Sequence, residues 1–195
     1  MNEHLTPTNH VLATAELRAT KPSRHDFALR QRQPITVVLD GVQSHYNQGA
    51  FFRLCDAFLV QRLVICGAAV TLHNRRFVQA AAGTHRWVPW ELASDARSVV
   101  GLLRQAGHWI VALELSARSV TSEVLQPRFP AVLVMGGEAS GVSQNVLDLA
   151  DQTVAIPMLG MANSLNVATA GAILLHQMAG HLPSRADAAG VLSPL

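Results

Sequence analysis

Three short stretches concentrate side chains that could do chemistry. The first is NSLN at 163–166, where Asn163, Ser164 and Asn166 surround Leu165 at the head of an apolar, Ala- and Gly-rich segment. Ser and Asn are favoured N-caps, because a side-chain oxygen accepts from the unpaired backbone N–H groups of the first turn. A cap needs one such residue, and here there are three. The periodicity starts the helix at 164, which puts Asn166 inside the first turn, where Asn is a poor helix former. The second stretch is NQGAFFR at 47–53. Phe51, Leu54, Cys55 and Phe58 follow the i, i+3, i+4, i+7 spacing of a core stripe. At 100° per residue Arg53 lies about 200° from Phe51, on the opposite face. The usual fate of such a position is a solvated arginine. The alternative is a face that lines a cleft, with Arg53 aimed at an anion or a reacting oxygen and Asn47 capping the helix or holding backbone. The third stretch is GGEASG at 136–141. It fails the dinucleotide fingerprint GxGxxG, because Glu138 stands where the second glycine belongs. Gly136 and Gly137 still allow close backbone approach to a ligand. Glu138 repels phosphate, so the loop suits a ligand with cationic or hydroxyl groups.

Each stretch is placed by the elements around it. ITVVLD (35–40), RLVICG (62–67), HWIVALEL (108–115), AVLVMG (131–136) and QTVAIPM (152–158) are short apolar, β-branched runs. Helical patterns fall at 48–59, about 74–82, 95–106, 143–150 and 164–181. Continuous apolar strands alternating with helices predict an α/β fold, a mostly parallel sheet with helices on both faces. In open sheets of this kind the ligand lies beyond the carboxyl ends of the strands. All three stretches follow a predicted strand. The loop after Ile156 and Pro157 adds Met158, Leu159 and Met161, an apolar lining that would suit an adenine ring.

The chain of 195 residues, 49% hydrophobic and 14% charged, is enough for one domain with a sizeable core. It lacks an apolar run of about 18 residues, so no membrane span is expected. The N-terminus lacks the layout of a signal peptide. Cys55 and Cys66 form no CxxC or zinc spacing and read as reduced, buried thiols of a cytoplasmic protein. The nine histidines lack ligand spacing, and no metal is expected. Residues 1–33 read as a polar, basic arm with a short helix near 10–19, residues 34–182 as the folded domain, and 183–195 as a loose tail. The arm accounts for the net charge of +2. Within 61–90, Arg62, Arg75, Arg76 and Arg86 stand with no acid among them, and Lys21 is the chain's only lysine. Arginine is the better bidentate phosphate binder, which suits RNA. A genome biased toward Arg codons gives the same count, and charge alone does not establish such a partner.

Together and in this order, the stretches resemble the three motifs of the SpoU/TrmH family of RNA ribose 2′-O-methyltransferases, within the SPOUT superfamily. The resemblance covers about residues 35–180. Asn47 to Arg53 resembles N-x-G-x-x-x-R, Gly136 to Gly141 resembles G-x-E-x-x-G, and Ile156-Pro157-Met158 with Ser164-Leu165-Asn166 resembles I-P-M…S-L-N. RRFVQAAAGTHRWVPW is also similar to the family's segment after the second strand. The resemblance implies a C-terminal deep trefoil knot, S-adenosylmethionine held by backbone at Gly136, Ile156 and Leu165, and a homodimer with the active site near the subunit interface. It implies methyl transfer to a tRNA or rRNA ribose, with Arg53, Asn47, Glu138, Ser164 and Asn166 as the catalytic set. RNA would be held by the arm and by Arg75, Arg76 and Arg86. Gln48, Leu54 and Leu59 depart from the family, which has Val, Thr or Asn, and Gly there. None of these removes a polar site residue. The alternative function is a non-catalytic RNA-binding or assembly factor that kept the knot. A nucleotide-dependent oxidoreductase is disfavoured by Glu138.

Overall fold

The computed structural model describes residues 13–19 and 21–182. The chain divides into two compact units, residues 1–31 with 184–195, and residues 32–183. The described part of the first unit contains α1 (Thr14–Ala19) and α2 (Arg24–Ala28). Ser23 caps α2, its hydroxyl accepting from the Asp26 N–H at 3.1 Å. The helix expected near 10–19 corresponds to α1; residues 10–12 and the tail from 183 lie outside the described residues.

The second unit is built on seven parallel strands in the order β3-β2-β1-β6-β4-β7-β5. They are β1 (Gln33–Asp40), β2 (Val60–Cys66), β3 (Trp90–Ala93), β4 (Trp109–Leu113), β5 (Val120–Thr121), β6 (Ala131–Gly136) and β7 (Gln152–Ala155). The helices are α3 (His45–Ala57), α4 (Arg75–Ala81), α5 (Ala96–Gln105), α6 (Gln144–Leu147) and α7 (Val167–Gly180). Every residue of β6, and Ile35 to Leu39 of β1, is buried. Such strands need apolar residues on both faces, hence their unbroken hydrophobic runs. Ile35, Val37 and Leu39 pack with α3, α4 and α7 on one face; Val38, Val132 and Val134 pack with α5 and α6 on the other.

The chain runs outward from β1 through β2 to β3, then crosses to start β4 on the far side, and β6 fills the gap between β1 and β4. The loops after β1 and β6 therefore emerge side by side at the sheet's switch point, with Asp40 and Gly136 as register partners. β7 lies three strand spacings from β1, about 14 Å. The loop 156–166 spans that separation and brings the start of α7 to α3, where the Asn166 and Asn47 side chains hydrogen-bond.

α3 is buried more widely than its predicted stripe. Phe51 and Cys55 are inside as expected, but so are Phe52, Asn47, Gln48 and Gly49, because α4 covers a second side. Phe52 meets Phe77 and Trp90 edge to face. A Cβ on Gly49 would lie 2.6 Å from the Phe77 carbonyl oxygen, so the helices cross too closely for any side chain there. Leu59 is not helical. It follows the C-cap Phe58 with φ 48°, a left-handed position at which glycine carries no Cβ penalty. The family's glycine at this place thus has a backbone reason, and leucine occupies it under strain.

Four other elements differ from expectation. β3 and β5 have no counterpart among the predicted strands, α6 is a single turn instead of 143–150, and α7 starts at Val167 instead of 164.

Candidate active site

Asn47 lies in the first turn of α3, whose N-cap Ser44 accepts from the Asn47 N–H at 3.4 Å. Its side chain turns inward and is 3% exposed. Its Nδ2 donates to Glu138 Oε1 at 2.6 Å, and its Oδ1 accepts from Asn166 Nδ2 at 3.0 Å. Asn166 is the N-cap of α7, and its Oδ1 accepts from the Ala168 and Thr169 N–H groups at 3.0 and 3.3 Å. The amide orientations follow from one another. Backbone N–H groups require the Asn166 oxygen to face α7, so its NH₂ faces Asn47. Asn47 must then turn its own NH₂ to the carboxylate. One polar relay thus joins residues from all three motifs. It also shows what one of the three polar side chains at 163–166 does: Asn166 both caps a helix and extends the relay. The expectation that it lies inside the first turn is corrected; it stands outside the helix, where asparagine is favoured.

Glu138 is exposed, and its Oε2 makes no hydrogen bond within the described chain. Arg53 is exposed on α3 as predicted, with no hydrogen bond or ion pair among the described residues. Tyr46, 54% exposed, lies seven residues before it, on the same face and about 10 Å away along the axis. Ser164 is exposed and makes no hydrogen bond to the relay. The structure therefore brings together Asn47, Glu138 and Asn166, and leaves Arg53 and Ser164 outside their hydrogen-bonded cluster.

Of the residues expected at a cofactor, Gly136 is buried, Ile156 half-buried and Leu165 37% exposed. A Cβ on Gly136 would lie 2.0 Å from the Gly141 carbonyl carbon and 2.1 Å from the Val142 nitrogen. Glycine is thus demanded there by the chain's own return, where the sequence alone suggests ligand approach. Leu159 and Met161 stand fully exposed on the loop 156–166, an apolar surface that none of the described residues covers.

Sequence reasoning misses Gln48, which is fully buried. Its Nε2 donates to the Val42 and Ala69 carbonyls at 2.9 and 3.1 Å, fastening α3 to the loops after β1 and β2. The only signal is its departure from the family's valine. Arg62 pairs with Glu91 at 3.1 Å and so differs from Arg75, Arg76 and Arg86, which are exposed. Both cysteines are free. Burial pushes the Cys66 thiol up to about 12, with Asp40, Asp95 and Glu91 adding to it, and burial pushes Cys55 up further. Neither thiol is a nucleophile at ordinary pH.

The polar relay stands at the switch point of a parallel α/β sheet, beside an exposed apolar loop, the place where proteins of this class hold their ligands. The SpoU rRNA Methylase family matches residues 34–176. The tRNA (guanosine(18)-2′-O)-methyltransferase of Escherichia coli K12 is 33% identical over 162 residues, covering 83% of this chain and 70% of that protein. The solved A. aeolicus TrmH/SpoU tRNA modifying enzyme superposes with a TM-score of 0.71 at 32% identity, over 83% of this chain and 80% of its own. An AdoMet-bound rRNA methyltransferase from Sinorhizobium meliloti gives 0.71 at 30% identity, over 79% and 59%. The chain belongs to the SpoU rRNA Methylase family.

Proposed function

We propose that this chain transfers the methyl group of S-adenosylmethionine to a ribose 2′-hydroxyl of RNA, at the site organised by the Asn47–Glu138–Asn166 relay. The relay is the observation that carries this reading: residues 47, 138 and 166 converge by hydrogen bonds into one cluster. tRNA is the substrate to test first, given the relatives' names, with rRNA second.

Bound S-adenosylmethionine supplies an electrophilic methyl on a sulfonium. The residues present fit it. Leu159 and Met161 offer uncovered apolar surface for an adenine ring, and Gly136, Ile156 and Leu165 offer backbone at the ends of β6 and β7 and before α7. The chain's other task is to place the hydroxyl in line with that methyl and to stabilise the alkoxide that develops. Arg53 does the second. A guanidinium stays protonated at ordinary pH, so it orients the hydroxyl and carries charge, and the proton passes to a phosphate or water. Asn47 fixes one oxygen of Glu138 and leaves Oε2 facing out. Ser164 lies two residues before Asn166, exposed at the edge of the relay, where it can meet the ribose or the cofactor.

The knot, the homodimer and the cytoplasm belong to the same reading. The course of the loop 156–166 from β7 to α3 supports the knot. Uncovered Leu159 and Met161 support a site completed by the cofactor and a second copy. Two free thiols suit a reducing compartment.

Calorimetry with S-adenosylmethionine and its demethylated product, followed by labelled methyl transfer to unmodified tRNA and 2′-O-methyl mapping, tests the reading. One mapped ribose mark is expected. A folded protein that binds neither ligand overturns it, and binding without transfer to tRNA or rRNA leaves a non-catalytic RNA-binding factor.

RNA is gripped through phosphate by Arg75, Arg76 and Arg86. Replacing all three with alanine is expected to weaken RNA binding and to flatten its salt dependence by roughly 0.7–0.9 in log–log slope for each phosphate no longer neutralised. An unchanged slope would make them a solvated face.

A further inference from the structure

We propose that Asp40 and Glu114 are positioning residues for methyl transfer: a pair of carboxylates that clamps the loop carrying Glu138. The proposal rests on the reading of Glu138 as part of the site.

β6 lies between β1 and β4. Asp40, the last residue of β1, is the register partner of Gly136, and Glu114 directly follows Leu113, the partner of Met135. The two carboxylates therefore stand on either side of the point where β6 ends. Beyond it the chain goes out and back within a few residues. The Gly141 N–H donates to the Gly137 carbonyl at 2.9 Å, closing a small antiparallel bridge. The returning strand is caught on both sides. The Val142 N–H donates to Glu114 Oε2 at 2.8 Å. The Ser143 N–H and hydroxyl both donate to Asp40 Oδ2, at 2.9 and 2.6 Å. Glu114 Oε1 also accepts from the Leu115 N–H at 3.0 Å. The fit leaves no slack: a Cβ on Gly141 would lie 2.2 Å from Glu114 Oε2, and one on Gly137 would lie 2.7 Å from the Gly41 carbonyl oxygen.

Glu138 sits in the loop so closed, and its carboxylate is held by one hydrogen bond, from Asn47. Where Glu138 stands is therefore set by where residues 142 and 143 are pinned. Neither Asp40 nor Glu114 has a cationic partner among the described residues. Gathering two carboxylates beside a third at the end of one strand is electrostatically unfavourable, and a turn of purely structural purpose does not require it. Charge-assisted bonds to backbone N–H groups are the shorter and stronger kind, which suits a loop that must not drift. Neither carboxylate hydrogen-bonds to Asn47, Asn166 or Arg53, so they act through the loop.

The test is a double-mutant cycle on the full chain. Single-turnover methylation at saturating cofactor and RNA is measured for Glu114→Ala, Glu114→Gln, Glu138→Ala and Glu114→Ala with Glu138→Ala, alongside melting temperature and cofactor affinity. Glu114→Ala is expected to slow the reaction about tenfold to a hundredfold, the scale of a misplaced group. Glu114→Gln keeps an acceptor for the Val142 N–H while giving up the one for the Leu115 N–H, and is expected to be slowed clearly less than Glu114→Ala. The double variant is expected to be no slower than Glu138→Ala alone. Additive losses, a fast Glu114→Ala or a Glu114→Gln as slow as Glu114→Ala each overturn the clamp while Glu138 keeps its role. A Glu138→Ala variant at the wild-type rate overturns the reading of Glu138, and the clamp with it. If Glu114→Ala does not fold, Ser143→Ala carries the same cycle, because it deletes one bond to Asp40 and keeps the N–H. A few-fold loss that disappears in the Glu138→Ala background is expected, and a loss equal in both backgrounds overturns the clamp.

Discussion

Arg53→Ala is expected to slow single-turnover methylation about 10²–10³-fold, the usual cost of losing one charge-stabilising donor. The fold should barely notice. Arg53 is exposed on α3 and holds no hydrogen bond or ion pair among the described residues, so its truncation opens no cavity. Exposed substitutions of that kind usually shift stability by less than about 0.5 kcal/mol. Cofactor affinity should persist too, because the proposed cofactor site lies on the loops after β6 and β7, away from Arg53. Arg53→Lys separates charge from shape: it keeps a cation and loses the planar fork, and a rate between alanine and wild type is expected. Melting temperature, calorimetric affinity and single-turnover rate on the same preparations decide it. An alanine variant within a few-fold of wild type would make Arg53 an ordinary surface residue. A variant that unfolds would place Arg53 on the packed face of α3.

Why these residues are legible in the sequence and others are not follows from what each has to satisfy. The central strands are legible because burial on both faces leaves unbroken apolar runs, as in Ile35 to Leu39. β3 is hidden because it is an edge: Glu91 and Leu92 are exposed, so WELA alternates with nothing. β5 has two residues, too few for any pattern. The start of α7 reads early because Ser164 and Leu165 fit a helix as well as a loop; only the geometry of the Asn166 side chain marks the boundary. Phe52 falls outside the predicted stripe because a stripe assumes one covered face, and α4 supplies a second. The site is legible as three motifs in order, yet its connectivity is not. Asn47 is 91 residues from Glu138 and 119 from Asn166, and local spacing says nothing about hydrogen bonds at that range. Asp40 and Glu114 give no signal, since a carboxylate at a strand end looks solvent-facing until the loop that covers it is seen.

Asn47→Asp probes that connectivity with nearly no change of shape. Asparagine sits at the relay's centre, donating on one side and accepting on the other. Aspartate keeps the acceptor for Asn166 and replaces the donor to Glu138 with a second carboxylate oxygen. The contact that was a 2.6 Å hydrogen bond then faces two negative oxygens. Loss of a partner for a buried group costs about 1–3 kcal/mol, and repulsion adds to it. At about 2–4 °C per kcal/mol for a domain of this size, the melting temperature should fall by several degrees and the fold survive. Methylation should fall much further, about a hundredfold or more, because Glu138 is driven from its place. Asn47→Ala gives the comparison: it removes both bonds without adding charge, and should lose Asn166 as well as Glu138. If Asn47→Asp methylates within a few-fold of wild type while its melting temperature drops, the relay is a fastening between α3, the loop after β6 and α7, and the chemistry lies with Arg53 alone. If rate collapses and melting temperature holds, the relay positions the reacting groups and contributes little to the fold.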